Sequence, residues 1–224
     1  MSLEDREKWD ARYGAVSARD GWSPSPLLED ALVELRRRRG ELAGLVALDV
    51  ACGGGRNSLM LAAAGLRVDG LDVSTEGLAL ARRREQYLDT PEMGAARGGG
   101  PRQVRWMAAD LDEGLPVSGP YDLIVMIRYL DLNLLSRLRG LLNPGGMLVV
   151  ELHLALNADE GGDGDAAENS LVGPRNPDFL ARSGDLAACC RGLEVWAMKE
   201  GCSDIGDGRQ EALAQFVGFR RSEL

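Results

Sequence analysis

The residues best suited to binding a ligand form a glycine-rich turn, 49–56, that directly follows an apolar run. Gly53 and Gly55 lack a Cβ, so the backbone there can turn sharply and lie against a ligand. A helix predicted to begin near Arg56 and Asn57 would point its amide groups and the positive end of its dipole at the same place. Because glycine-rich turns also begin purely structural connections, this turn alone does not define a site.

Two aspartates follow the next two apolar runs. Asp72 stands where a carboxylate can accept both hydroxyls of a ribose, and its separation from Gly53 is close to the roughly 20 residues found in dinucleotide enzymes. It could equally anchor the start of the following helix. Asp110, next to Leu111, could accept a hydrogen bond from an adenine amino group while a neighbouring backbone NH reads a ring nitrogen, or be an ordinary loop residue.

The remaining candidates follow the fourth and fifth apolar runs. Arg128, which stands between Ile127 and Tyr129, could pair with an anionic substrate or cap the sheet edge. His153 is the single histidine of the chain. It is a candidate general base or substrate-orienting group, and the alternative is a structural histidine that pairs with Glu151 or a loop carbonyl.

The elements that must position these residues alternate along the chain. Strands are predicted at 45–50, 66–71, 103–108, 121–127, 147–151, 193–198 and 212–219, helices at 26–39, 57–64, 74–87, 132–142 and 177–188, and exposed loops or turns at 89–102, 157–169 and 205–208. Near-continuous apolar strands separated by helices predict a parallel sheet covered on both faces. With right-handed crossovers this becomes an α/β, Rossmann-like, doubly wound sheet of seven strands, mostly parallel, with an antiparallel C-terminal hairpin.

The N-terminal part of the chain is predicted to be distinct from the rest. Residues 1–23 are polar but include Trp9, Tyr13 and Trp22. These aromatic residues either pack the segment against the domain or form a lid over a pocket. The sequence therefore predicts an N-terminal segment and helix at 1–40 and one domain at 41–224.

Composition restricts the function further. The 224 residues are 45% apolar and carry a net charge of −9, which argues against nucleic-acid or anionic-lipid partners. The four cysteines lack metal-ligand spacing, so we expect no metal site and a reduced, cytoplasmic chain without a membrane span. Cys52 is interpreted as a small residue that fills space rather than a nucleophile. A monomer or a homodimer is expected.

These motifs together resemble class I S-adenosylmethionine-dependent methyltransferases over roughly residues 40–220. Residues 48–56 resemble motif I of that family. Asp72 and Asp110 match its acidic residues at the end of strand two and after strand three, and Asp122 matches the start of strand four. The segment Leu142-Asn-Pro-Gly-Gly-Met-Leu148 is similar to its L-x-P-G-G-x-L signature. Trp9-Asp-Ala-Arg-Tyr13, Ile127-Arg-Tyr-Leu130 and residues 172–180 resemble the tellurite-resistance (TehB-like) branch, which often has an aromatic-Glu-Thr-Phe-like string where this chain has Glu151-Leu-His-Leu154.

The resemblance implies S-adenosylmethionine as the cofactor, S-adenosylhomocysteine as its product, and a small molecule as the methyl acceptor. In the implied cofactor site, Asp49 meets the methionine amino group, Gly53 and Gly55 make room, Asp72 binds the ribose, and Asp110 and Leu111 hold adenine, with Ala51, Asn57, Val73 and Ile127 completing the set. Arg128 and Tyr129 are expected near the methyl donor and acceptor, with His153 as the candidate base.

Two other functions remain open. A nicotinamide-dependent oxidoreductase shares Gly53, Gly55 and Asp72, although Ser58 replaces the third glycine and Asp49 places a negative charge where a pyrophosphate would approach. A non-catalytic module that binds S-adenosylmethionine and transfers nothing is the second alternative.

Overall fold

The computed structural model describes residues 3–20, 22–90, 103–156, 171–206 and 209–222. The chain divides into two compact units, Met1–Val125 and Met126–Leu224. The boundary lies inside the fourth strand. The predicted division into 1–40 and 41–224 stays a prediction.

The first unit holds the glycine-rich turn between its first strand and the helix that follows. Its elements are α1 (Leu3–Gly14), α2 (Pro26–Arg39), β1 (Val46–Val50), α3 (Arg56–Ala63), β2 (Arg67–Asp72), α4 (Thr75–Leu88), β3 (Gln103–Ala108) and the first part of β4 (Tyr121–Ile127). β1 pairs with β2, and β2 with β3, both in parallel. Leu48, Val50 and Leu71 are buried, as near-continuous apolar strands of a covered sheet must be.

The second unit contains the antiparallel hairpin. After the end of β4 come α5 (Leu132–Leu138), a 3-10 turn (Arg139–Leu141), β5 (Leu142–His153), a second 3-10 turn (Pro177–Phe179), α6 (Asp185–Cys189), β6 (Glu194–Gly206) and β7 (Arg209–Phe219). β7 pairs antiparallel with both β5 and β6. Val195, Trp196 and Met198 on β6 are exposed.

Among the described residues, the strands form one seven-stranded sheet in the order β3-β2-β1-β4-β5-β7-β6. The predicted fold class, a mostly parallel Rossmann-like sheet with an antiparallel C-terminal hairpin, is therefore confirmed. In the described part of the chain, no helix is long and apolar enough to cross a membrane.

The helix predicted at 177–188 is wrong over its first part, and only its end lies in an α-helix, α6. The Asn176 side chain accepts the NH of Asp178 and caps only one 3-10 turn, and Gly184 has a positive φ of 87°, outside the right-handed helical region. Between these points the chain is extended: Ala181 donates its NH to the carbonyl of His153 and accepts from Ala155. A backbone pairing at Ala181 therefore replaces the middle of the predicted helix.

The segment Asn143-Pro-Gly-Gly146, between the predicted helix 132–142 and the predicted strand 147–151, is part of a strand. It belongs to β5, because Gly145 donates its NH to the carbonyl of Arg220 and Gly146 accepts from the NH of the same residue. The preceding helix accordingly ends at Leu138, and the last two strands are longer than predicted. Of the predicted loops, residues 91–102 and 157–169 lie outside the described residues, as do 207–208 of the predicted turn.

Candidate functional site

Asp49 is the most deeply buried acidic residue named for the first unit's candidate site. The side chain sits near the end of β1, is 1% exposed, and accepts a hydrogen bond from Ser58 Oγ at 2.6 Å. Burial raises the pKa of Asp49 to about 7. A buried carboxylate is stabilised by any cation that comes near it, which suits a carboxylate expected to face an amino group.

The turn after β1 is tied directly to the end of β2. Gly53, at φ 53°, donates its NH to Asp72 Oδ2 at 2.6 Å, and Ser74 donates its NH to Asp72 Oδ1 at 2.8 Å. The carboxylate is 7% exposed, and burial raises the pKa of Asp72. Asp72 thus anchors both the turn and the start of α4. Each carboxylate oxygen has more than one lone pair, so it can also accept ligand hydroxyls; ribose binding stays a prediction.

Tyr13 of α1 lies across this turn. A Cβ at Gly53 would overlap the Tyr13 hydroxyl, and a Cβ at Gly77 would come within 3.0 Å of the ring. Burial and the nearby Asp72 carboxylate raise the pKa of Tyr13 to about 12. The two glycines and Asp72 therefore form a cradle that is filled by a phenol from the N-terminal helix.

α1 is also fixed to the beginning of α4. Asp10 Oδ1 accepts Ser74 Oγ at 2.6 Å and the NH of Glu76 at 3.1 Å. Although burial opposes it, hydrogen bonding to Ser74 and Glu76 holds the pKa of Asp10 below its usual value. A carboxylate at this position caps the helix and complements its dipole.

The chain after α1 also contacts residues in or next to the glycine-rich turn. Arg84 is 7% exposed, and its Nη1 donates a hydrogen bond to the Gly54 carbonyl at 2.9 Å. The guanidinium carbon of Arg84 lies 5.4 Å from the centroid of the Trp22 ring. Arg56 Nη1 donates to the Ser23 carbonyl at 3.2 Å. The aromatic residues Tyr13 and Trp22 of the N-terminal segment therefore lie against the glycine-rich turn or a side chain that contacts it.

The other predicted cofactor residues of the first unit have structural partners as well. Asn57 Oδ1 accepts the NH of Ser25 at 3.0 Å, and Asp110 Oδ1 accepts the NH of Asp112 at 3.0 Å. Ala51 has a positive φ of 55° and Gly55 one of 77°, while Val73 and Leu111 are buried. The Ala109 NH donates to the Asp72 carbonyl at 2.9 Å, which brings the segment before Asp110 to the end of β2.

The second unit contains a separate charged cluster around Arg128, one residue after the buried Ile127 and before Tyr129. Arg128 Nε donates to Glu151 Oε1 at 2.9 Å, and the two Nη atoms form a bidentate ion pair with Glu211. Gln215 donates to the other oxygen of Glu151 at 2.8 Å. Arg128 also has a positive φ of 63°, an unfavourable conformation for a side chain of this size.

His153 lies against the same guanidinium. Arg128 Nη1 is 3.3 Å from Nδ1 and 3.1 Å from Nε2. One atom nearly equidistant from both ring nitrogens cannot donate a linear hydrogen bond to either, so we read this contact as stacking. Burial and the positive charge of Arg128 lower the pKa of His153 to about 4, which leaves the imidazole neutral at physiological pH.

The sequence did not single out Glu211, Gln215, Asp10 or the contact of Tyr13 with Gly53. A signal for the first two exists: residues 211, 213 and 215 alternate along one strand, as do Glu151 and His153 on its partner, and side chains two apart share a sheet face. The structure thus brings Asp49, Gly53 and Asp72 together in the first unit, and Arg128 and His153 together in the second.

An open cavity of about 630 Å³ lies elsewhere in the first unit. Its lining includes Val46, Tyr121 and the segment 115–120 at the amino-terminal ends of strands. Arg105 makes a bidentate ion pair with Asp69 there, at 2.9 and 2.7 Å. Because open α/β sheets bind ligands at the carboxyl ends of their strands, the glycine-rich turn is the better candidate. Among the described residues, no group of three or more His, Cys, Asp or Glu could hold a metal ion.

Comparison with known families identifies the part of the chain that carries this turn. Residues 47–146 match the family model of the methyltransferase domain. A search of curated protein sequences gives no match.

Solved structures share the fold at low sequence identity. TehB from Haemophilus influenzae is 16% identical with a TM-score of 0.62, over 86% of this chain and 62% of TehB, so the chain spans less than two thirds of that protein. Magnesium protoporphyrin IX methyltransferase (ChlM) from Synechocystis PCC 6803, solved with bound S-adenosylmethionine (SAM), is 15% identical with a TM-score of 0.59, over 98% of both chains. The cyclase SpnF is 17% identical with a TM-score of 0.58, over 93% of this chain and 86% of SpnF.

The sequence motifs, the seven-stranded sheet and these comparisons lead to one identification. Residues 47–146 match the methyltransferase-domain family, and the chain has the Rossmann-like fold of solved structures that include TehB and the methyltransferase ChlM.

Proposed function

We propose that this protein binds S-adenosylmethionine at the glycine-rich turn of its first unit and transfers the methyl group to a small-molecule acceptor. The observation that carries the proposal is the pair of buried aspartates at the turn. Asp72 holds the NH groups of Gly53 and Ser74, and Asp49 lies buried on β1. Together they offer an acceptor for ribose hydroxyls and a negative charge for an amino group.

The residues present fit this cofactor. Gly53 lacks a Cβ, and a Cβ there would enter the cradle that the Tyr13 hydroxyl occupies. Asp49 would hold the amino group, through water because its side chain is 1% exposed, and Asp72 the ribose diol. Asp110 and Leu111 would hold adenine. Ala51, Gly55, Asn57, Val73 and Ile127 are proposed as the other residues of this site.

When bound, the cofactor supplies a methyl group that its sulfonium already activates for in-line displacement. The protein then has to align the acceptor, and alignment alone can contribute about 7–11 kcal/mol. We assign His153, Arg128 and Tyr129 to the acceptor side. The neutral imidazole of His153 carries one nitrogen lone pair that can accept a proton, whereas the Arg128 guanidinium is engaged by Glu151 and Glu211. Arg128 is therefore proposed to position His153 rather than to bind an anionic acceptor.

The small-molecule acceptor is supported by the net charge of −9 and by ChlM, whose name gives a porphyrin as substrate. A cytoplasmic location is part of the same proposal. The resemblance to SpnF, a cyclase, shows that this fold also serves other reactions. Binding and turnover must therefore be tested separately.

Titration of the wild-type protein with S-adenosylhomocysteine and with NAD tests the cofactor. A saturating ligand that binds only the folded state adds about 2.7 kcal/mol at a hundredfold excess over its Kd, which raises the Tm by several degrees. We expect stabilisation by S-adenosylhomocysteine; stabilisation by NAD alone would reverse the assignment in favour of a nicotinamide-dependent protein. Transfer of label from S-adenosylmethionine to a metabolite pool then separates an enzyme from a module that only binds.

A further inference from the structure

The N-terminal helix holds an aromatic side chain in the place that the proposed cofactor needs. Tyr13 lies in the cradle formed by Gly53, Gly77 and Asp72, and its hydroxyl is the atom that a Cβ of Gly53 would overlap. This is the place where Asp72 is proposed to receive ribose hydroxyls. A phenol oxygen beside the carboxylate therefore stands in for a ligand hydroxyl.

The position of α1 depends on a second, separate contact. Asp10 lies one turn before Tyr13 on the same helix and caps the amino terminus of α4 through Ser74 Oγ and the NH of Glu76. Ser74 Oγ also accepts the NH of Gly77 at 2.9 Å, so the cap is built into the cradle itself. The contact is polar and partly exposed, which makes it cheaper to open than an apolar core contact.

We infer that α1 is a self-occluding lid, in which Tyr13 fills the cofactor cradle and Asp10 latches the helix to α4 until the cofactor displaces it. The inference rests on the proposed function. It differs from the view that Tyr13 is a cofactor ligand, because a lid has to leave before the cofactor enters. Apparent affinity and association rate are then both reduced by the fraction of molecules whose lid is open.

Three variants test the lid. Tyr13→Ala empties the cradle, Asp10→Asn weakens the latch while keeping the shape of the side chain, and Glu7→Gln removes an exposed carboxylate from the same helix as a matched control. Association of S-adenosylhomocysteine is followed by stopped-flow fluorescence, and its Kd by calorimetry. If the open state has a population of about 1–10%, the first two variants should bind about 10-fold to 100-fold faster, whereas the control should match the wild type.

A ligand-free measurement tests the latch independently. The amide of Glu76 should exchange its hydrogen faster in Asp10→Asn than in wild type or Glu7→Gln, because its acceptor is weakened. Unchanged exchange would overturn the latch.

The outcomes separate the lid from the proposed function. If the wild type binds S-adenosylhomocysteine and Tyr13→Ala binds no faster, or more weakly, the lid is wrong and the cofactor assignment stands. Binding by Tyr13→Ala alone supports both. If no form binds, the cofactor assignment is wrong and the lid falls with it.

Discussion

Ser58 Oγ donates a hydrogen bond to the buried Asp49 carboxylate at 2.6 Å, from the position where a dinucleotide enzyme would have its third glycine. The first turn of α3 therefore holds an acidic group at the end of β1 instead of making room for a pyrophosphate. This contact is a structural reason to favour a cofactor with a cationic amino group over NAD.

Asp49→Asn should stabilise the protein in a pH-dependent way. The folded-state pKa of about 7 lies above the ordinary value of 3.8, so the folded protein binds the proton more tightly than the unfolded chain. Stability is therefore lost as the pH rises from about 4 to about 7, by up to about 4 kcal/mol. Urea unfolding should show Asp49→Asn more stable than wild type near pH 8 and equal to it near pH 4. A constant difference across this range would contradict a raised pKa.

Asp72→Asn should weaken cofactor binding through the ribose, and also cost stability. An amide has one acceptor oxygen where the carboxylate has two, so one of the NH groups of Gly53 and Ser74 loses its partner, at about 1–3 kcal/mol. Calorimetry with S-adenosylhomocysteine and its 2′-deoxy analogue isolates the ribose contact. The missing hydroxyl should reduce affinity in the wild type and have no effect in the variant. Equal losses in both proteins would leave Asp72 with only its anchoring role.

His153→Gln should lower turnover by about 10²-fold to 10⁴-fold if the imidazole accepts a proton, with the affinity for S-adenosylhomocysteine unchanged. Because its pKa is lowered to about 4, the wild-type kcat/KM should show no step near 6.5. The same shift means that the unfolded chain binds the proton more tightly, so His153 favours folding above pH 6.5 and loses this contribution as the pH falls toward 4. Unchanged turnover would remove His153 from the mechanism.

Glu211→Gln should destabilise the second unit. The substitution removes the negative charge that pairs with Arg128, whose guanidinium stays half-buried. We expect a loss of about 2 kcal/mol in the free energy of unfolding. Glu41→Gln, at an exposed carboxylate, is the matched control and should change stability little. A loss of similar size in both variants would show that net charge, rather than the Arg128 ion pair, is responsible.

The strands and the glycine-rich turn were predictable from the sequence because their signals are local. β1 and β2 are apolar runs, and Gly53 and Gly55 occupy conformations with positive φ. The same local patterns placed Asp49 and Asp72 at the ends of strands. Contacts between distant segments had no such signal: nothing in the residues around Tyr13 indicates Gly53, forty positions later.

The errors have the same origin. Residues 177–188 have helical spacing, but Ala181 pairs with the backbone of His153 instead. Asn143-Pro-Gly-Gly146 is typical of a turn, but Arg220 pairs with its glycines and makes it part of β5. In both segments, pairing with a backbone segment far along the chain outweighed the local propensity. A single sequence does not reveal such a distant pairing.

The aromatic packing of the first unit gives the protein its own optical reporter. Trp9 stacks on Tyr13 at 5.9 Å, Trp22 lies against Arg84, and the Trp106 ring lies against Gly55, so three indoles contact the glycine-rich turn or side chains that touch it. The fourth, Trp196, is an exposed residue of β6. In Trp196→Phe, tryptophan emission would come only from the first unit, and changes at the turn would become measurable without any added label.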